Sequence, residues 1–271
     1  MFDPSDARLA VIVGGKSIRQ HIEEALQRGD LRLTEDGYLT LGNSATRTLA
    51  PFKDASFEMY FGRLKPDGTV QQDPGLYPCM ELLTFFFKQV YQQATVPHAC
   101  QNCYKVKVFP STLRQMMAVK AIAESLPYIS KSGNELHVKA TPGIYATYFY
   151  LHGLEEARSA YAIIRARLDA DEKLGPSVKA VIKRGCSEYE RKLGPSDQYT
   201  FDPALEAAEE YLHSVYRKPE NSQPRPSKAA QKGLYLLHWI QLAYQVGDET
   251  YKDFTAGKPP YPPTMTYPPK P

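Results

Sequence analysis

The sequence predicts an α/β or α+β fold with a central strand–helix–strand–helix–strand core, an order compatible with a ferredoxin-like arrangement. Segments 104–109 and 144–151 alternate as strands do. Segments 113–126 and 154–171 repeat apolar residues at helical spacing. A third strand is predicted over 178–190, after a Gly-Pro break. If neighbouring strands are parallel, we expect right-handed crossovers between them.

A small unit that contains one helix and one hairpin is predicted for residues 1–75. Apolar residues at helical spacing indicate a helix over 17–27, and Gly29 can end it because glycine accepts the left-handed backbone of a helix C-terminus. Residues 31–41 alternate around Asp-Gly at 36–37, which is typical of a tight hairpin turn.

The remainder of the chain is predicted to form a core unit and a C-terminal segment. The core unit spans 76–216, contains all four cysteines and ends in a helix over 203–216. Residues 217–271 comprise a polar linker, a helix over 228–246 that packs on the core, and a proline-rich tail from Lys258. Because proline cannot continue a helix, we expect the tail to be extended and able to dock on a protein partner.

Composition excludes several classes of protein. The chain has 271 residues, of which 42% are hydrophobic and 23% charged, an ordinary globular profile. Its formal net charge of +3 is too small for a polybasic protein. Its apolar runs are far shorter than the ~20 residues that cross a bilayer, and its acidic start lacks the features of a secretory signal. The sequence therefore predicts a cytoplasmic protein rather than a membrane or secreted one.

A CxxC pair gives the sharpest chemical signal. Cys100 and Cys103 have the spacing that lets two thiolates face one cation from a single tight turn. In a redox CxxC motif a helix follows and activates the first thiol, whereas here a strand is predicted directly after Cys103. A cytoplasmic chain is also expected to keep its thiols reduced. The pair therefore favours a metal-binding turn over thiol–disulfide exchange.

Two further cysteines could complete a ligand set. Cys79 precedes a predicted buried helix over 80–93, and Cys186 lies late in the third predicted strand. Four thiolates suit a [4Fe–4S] cluster and structural zinc equally well by ligand type, with His98 as the reserve ligand. The spacing is not that of a zinc ribbon, so Cys79 and Cys186 could instead be small buried residues. The leading hypothesis is a metal- or iron–sulfur-binding protein, which in one version is an enzyme.

Two carboxylates near Cys186 are the candidate catalytic groups. In an extended strand every second side chain shares a face, which would align Glu188 and Glu190 with the Cys186 thiol. Either carboxylate could then move protons for a substrate bound at an open metal position. The alternative is a strand end whose charges are simply solvated.

A second class of function is suggested by basic and aromatic residues on the predicted strands. Lysines could reach phosphates while tyrosines stack on bases, which would make a platform for single-stranded nucleic acid. The alternative is a mixed sheet with one solvated face, since no RNA-binding sequence motif is present. The residues concerned are Lys105, Lys107, Lys179, Lys183 and Arg184, with Tyr104, Tyr145, Tyr148 and Tyr150.

Overall fold

The computed structural model describes most of the chain. The described residues are 1–42, 57–60, 82–83, 85–136, 143–217 and 228–261. Within these ranges, none of the helices has the length and apolar character that crossing a membrane requires. Cys79 and the tail beyond residue 261 lie outside the described residues.

The N-terminal helix and hairpin are both confirmed. A short hairpin of β1 (Ile12–Val13) and β2 (Lys16–Ser17) leads into α1 (Ile18–Arg28), and β3 (Leu31–Leu33) then pairs with β4 (Leu39–Leu41). A capping box starts α1, in which the Ser17 and Gln20 side chains each bond the other's backbone N–H. Gly29, with φ of 74°, ends it.

A five-stranded antiparallel sheet forms the centre of the described chain. Its strands are β5 (Phe57–Tyr60), β6 (Cys103–Phe109), β7 (Ile129–Asn134), β8 (Tyr145–His152) and β9 (Lys179–Arg184). The sheet order is β5-β7-β8-β6-β9. Helices α2 (Leu113–Ser125) and α3 (Leu154–Ala170) connect β6 to β7 and β8 to β9.

The last four strands with α2 and α3 have the βαββαβ order and the strand arrangement of a ferredoxin-like unit. The predicted α+β class is therefore confirmed. Strand β7 was not predicted, because it reads Ile-Ser-Lys-Ser-Gly-Asn and carries almost no apolar signal. Right-handed crossovers are expected only if neighbouring strands are parallel. The neighbouring strands of the described sheet are antiparallel, so that expectation does not apply.

One face of the sheet is apolar and is covered by α2 and α3. Val106 and Phe149, on the two central strands, pack with Ala160 and Ile164 of α3 and with Val119 of α2 in one buried cluster. A further helix (Lys228–Gln245) places Trp239 in a neighbouring cluster with Leu113 and Tyr145.

A separate hydrophobic cluster holds the loop that precedes β6. It unites α1 and the β3–β4 hairpin with apolar residues of 82–83 and 85–100, and it includes Leu205, Ala208 and Leu212 of the helix Pro203–Ser214. Cys100 is buried in this cluster. The CxxC turn therefore lies where the N-terminal part of the chain meets one end of the sheet. The division of the chain at residues 75 and 216 stays a prediction.

The predicted strand over 178–190 is wrong in its second half. Strand β9 ends at Arg184, Gly185 has φ of 64°, and the helix α4 (Ser187–Leu193) follows. Glycine adopts that left-handed conformation without the steric cost that a Cβ brings, so the chain can turn sharply there. The α-helices described after α3 are thus α4, α5 (Pro203–Ser214) and α6 (Lys228–Gln245).

Candidate functional site

A buried carboxylate fixes the CxxC turn. Residues His98–Cys100 form one 3₁₀ turn, and Cys103 is the first residue of β6. Glu209 of α5 is buried beneath this turn and accepts hydrogen bonds from the backbone N–H groups of His98 (2.7 Å) and Ala99 (3.0 Å). The Tyr91 hydroxyl donates to the same carboxylate at 2.5 Å. Glu209 therefore holds the backbone of the turn through two hydrogen bonds and ties it to Tyr91 through the third.

The pKa of Glu209 is raised by its burial, although the hydrogen bonds from Tyr91 and the two backbone amides oppose this shift. The reserve ligand His98 has its Nε2 atom 3.6 Å from a Glu206 carboxylate oxygen and its ring edge-on to Phe201. Its imidazole thus points toward α5 and the segment that precedes it.

The pairing of β6 with β9 brings Cys186 close to the CxxC turn. The Gly185 N–H donates to the Cys103 carbonyl at 2.8 Å. Cys186 directly follows Gly185 in the chain and is therefore adjacent to this backbone contact. Cys186 is the N-cap residue of α4. Lys105, two residues beyond Cys103 on the same face of β6, places its ammonium 3.4 Å from the Cys186 sulfur.

Cys100 lies against the same short helix. Its thiol contacts the Tyr189 hydroxyl at 3.7 Å, and Tyr189 is three residues after Cys186 on α4. No disulfide joins Cys100, Cys103 and Cys186 to one another. Three of the four predicted ligands therefore come to one end of the sheet, and the fourth, Cys79, falls outside the described residues.

The described thiols do not form a finished metal site. Within the ranges that the structure describes, no three His, Cys, Asp or Glu side chains make a group that could hold a metal ion. The Cys100 thiol contacts the Tyr189 hydroxyl and the Cys186 sulfur contacts the Lys105 ammonium. Neither of these contacts is with another cysteine.

The two candidate catalytic carboxylates do not share a face. Glu188 and Glu190 lie on α4 and not on a strand, so residues two apart diverge around the helix. Glu188 is exposed, whereas Glu190 forms an ion pair with the buried Lys183. The predicted alignment of both carboxylates with Cys186 is wrong, because the chain turns at Gly185.

The predicted basic and aromatic residues are divided between the two faces of the sheet. Tyr104, Tyr145 and Arg184 lie on the helix-covered side, where Tyr104 and Arg184 are hydrogen-bonded to each other. The opposite face, here called the lysine face, holds the other group. Its members are Lys105, Lys107, Lys179, Lys183, Tyr148 and Tyr150. Of these, Lys105, Lys107, Lys183 and Tyr148 are buried, and Lys179 is exposed.

A hydrogen-bonded network runs through the centre of the lysine face. The Lys107 ammonium donates to one oxygen of Glu135 at 2.7 Å, and the Tyr148 hydroxyl donates to the other. Ser187 interacts with both Tyr148 and the Lys183 ammonium, the latter at 3.0 Å. The network thus joins β6, the end of β7, β8, β9 and the start of α4.

Electrostatics differ sharply within this network. Burial lowers the pKa of Lys107, the hydrogen bond to Glu135 opposes that shift, and the charge of Lys183 adds to it. Burial and the Glu135 carboxylate raise the pKa of Tyr148 far above its usual value. Tyr148 is therefore a hydrogen-bond donor, and Lys107 loses its proton more readily than an exposed lysine.

The two buried glutamates, Glu135 and Glu209, were missed by reasoning from the sequence. Glu209 carried a usable signal, since it lies among Leu205, Ala208 and Leu212 on the apolar side of a predicted helix. Glu135 carried none, because it follows a strand that the sequence did not reveal.

Comparison of the chain with known protein families, with curated proteins and with solved structures finds no match.

Proposed function

We propose that the protein binds one metal centre, a [4Fe–4S] cluster or a zinc ion, through Cys79, Cys100, Cys103 and Cys186. His98 is the reserve ligand. The observation that supports this most is the backbone contact between Gly185 and Cys103, which brings the distant Cys186 beside the CxxC turn.

A four-thiolate set leaves no ligand position open, which is typical of structural sites and of clusters that carry electrons. The centre would tie the loop before β6 to the junction of β9 and α4. We place such a protein in the cytoplasm, where thiols stay reduced.

The surroundings of the cysteines suit this chemistry. The Lys105 ammonium lies at hydrogen-bond distance from the Cys186 sulfur. Hydrogen bonds to cysteine sulfur and nearby charge are among the features that tune iron–sulfur centres. Glu209 fixes the turn that carries Cys100, and groups that orient ligands in this way commonly change metal affinity when they are removed.

Metal analysis of the purified full chain tests the proposal. Protein prepared without oxygen is expected to contain either iron and sulfide, with a brown colour and absorption at roughly 400 nm, or one zinc ion. Serine substitution of each cysteine in turn should lower the metal content. Gln101→Ser, in the same turn but at an exposed position, is the matched control and should not.

Protein that contains neither iron nor zinc, or cysteine variants that keep the full metal content, would overturn the proposal.

The nucleic-acid and tail-docking hypotheses stay predictions. For the first of these, strongly salt-dependent binding of a single-stranded oligonucleotide would be the supporting result.

A further inference from the structure

The two faces of the central strands differ in a way that stability alone does not require. Toward the helices, β6 and β8 present Val106, Val108 and Phe149, a conventional apolar core. On the other face, the same strands bury Lys107 and Tyr148. Burying a charge is costly, and apolar residues in place of a buried ion pair are often neutral or stabilising. We therefore expect the buried polar groups of the lysine face to serve a function.

The centre of this face has the composition of an amine-based catalytic site. Lys107 supplies an amine, and Glu135 lies 2.7 Å from it as a proton carrier. Tyr148 donates a hydrogen bond to that carboxylate and is close enough to Lys107 for its ring centroid to lie 5.0 Å from the ammonium. A nucleophile, a proton-transfer group and a hydroxyl donor are thus within contact of one another.

We propose that Lys107, Glu135 and Tyr148 form a site at which Lys107 condenses with a small carbonyl compound that carries a carboxylate. This site is distinct from the proposed metal centre and does not depend on it. Tyr148 would turn its hydroxyl from Glu135 to donate to the carbonyl oxygen of the compound. The carboxylate is favoured because Lys105, Lys107 and Lys183 lie together on this face. The described ion pairs join Glu135 to Lys107 and Glu190 to Lys183, so these lysines and carboxylates together carry an excess of positive charge.

Glu135 can carry each proton that moves during the condensation. Glu135 takes a proton from the Lys107 ammonium, and the freed nitrogen lone pair forms a bond to the carbonyl carbon while the π electrons move to oxygen. That oxygen takes the proton back from Glu135. The nitrogen then gives a second proton to Glu135, which passes it to the departing hydroxyl. The C–O bond breaks, water leaves, and an iminium ion on Lys107 remains.

The surroundings of Lys107 support a reactive amine. A lysine becomes nucleophilic when burial or a second cation lowers its pKa, and both effects act here. The carboxylate of Glu135 is buried and lies beside both the amine and the hydroxyl donor, so it can carry protons without competition from bulk water.

Reductive trapping tests this proposal. The full-length protein is incubated with pyruvate and cyanoborohydride, which reduces an iminium ion to a stable secondary amine, and the adduct is located by peptide mass spectrometry. The expected result is one pyruvate adduct, confined to the peptide that contains Lys107. Lys107→Arg keeps a positive charge for Glu135 but removes the amine, so the adduct should be lost.

Lys179→Arg is the matched control, since Lys179 lies on the lysine face at the start of β9 but is exposed. This variant should keep the Lys107 adduct. Absence of any adduct on the native protein, or labelling of Lys131 and Lys179 in preference to Lys107, would overturn the proposal. Because the native protein is mapped directly, this holds even if Lys107→Arg folds poorly. The cysteine variants should still be labelled, which separates this result from the metal test.

Discussion

Removal of the Lys107 ammonium should cost the protein a large part of its stability. Lys107 and Glu135 are each 3% exposed and are joined by a 2.7 Å ion pair. In Lys107→Met the carboxylate stays buried with the Tyr148 hydroxyl as its remaining described donor. Breaking a buried pair from one side costs about 3–5 kcal/mol, so we expect a loss of that size in the free energy of unfolding. Urea unfolding followed by far-UV circular dichroism measures it.

Two further variants sharpen this test. In Lys107→Met/Glu135→Leu/Tyr148→Phe the whole polar group becomes apolar, and most of the lost stability should return because no buried charge is left unpaired. Arg158→Met is the control, since the Arg158–Glu155 pair is exposed and worth less than about 1 kcal/mol. A loss in Lys107→Met no larger than that of the control would refute the reasoning.

Three other substitutions test the buried Glu209, the turn that follows β9 and the cap of α1. Glu209→Gln should gain stability relative to the native protein as pH rises from about 4.5. The carboxyl group of Glu209 has a higher pKa in the folded state than in the unfolded state, so it stabilises the native protein below the unfolded-state pKa and loses that contribution as pH rises through the folded-state pKa. If the urea midpoints of the two proteins change with pH in parallel, this reasoning is wrong. Gly185→Ala should lose about 1–2 kcal/mol, since φ is 64° and the new Cβ would lie 3.1 Å from the Tyr189 ring; thermal unfolding at the native midpoint would contradict this. Ser17→Ala, which removes half of a capping box, should cost about 1 kcal/mol in the same assay, and an unchanged midpoint would count against the cap.

The parts of the fold that the sequence predicts are those with a local signal. Helix α1 has a serine cap, an apolar stripe and a terminal glycine within thirteen residues of chain, and β6 alternates over its whole length. Strand β7 has no such pattern, since its buried Ser130 and Ser132 are small polar residues. The end of β9 depends on Gly185, whose effect on chain direction is decided by its backbone angle and not by its neighbours in sequence.

The candidate site depends instead on strand register, which the sequence does not state. Glu209 is 111 residues from His98, and Cys103 is 82 from Gly185, yet both pairs are in hydrogen-bond contact. A shift of one residue between β6 and β9 would turn Lys105 toward the helices and away from the Cys186 sulfur. The apolar residues on the other face prevent that shift, because it would bury the lysines in the helix-covered core. The helix-covered face of the sheet therefore determines the position of the chemical groups on the lysine face. A metal content that depends on Cys186 would be evidence for this strand register.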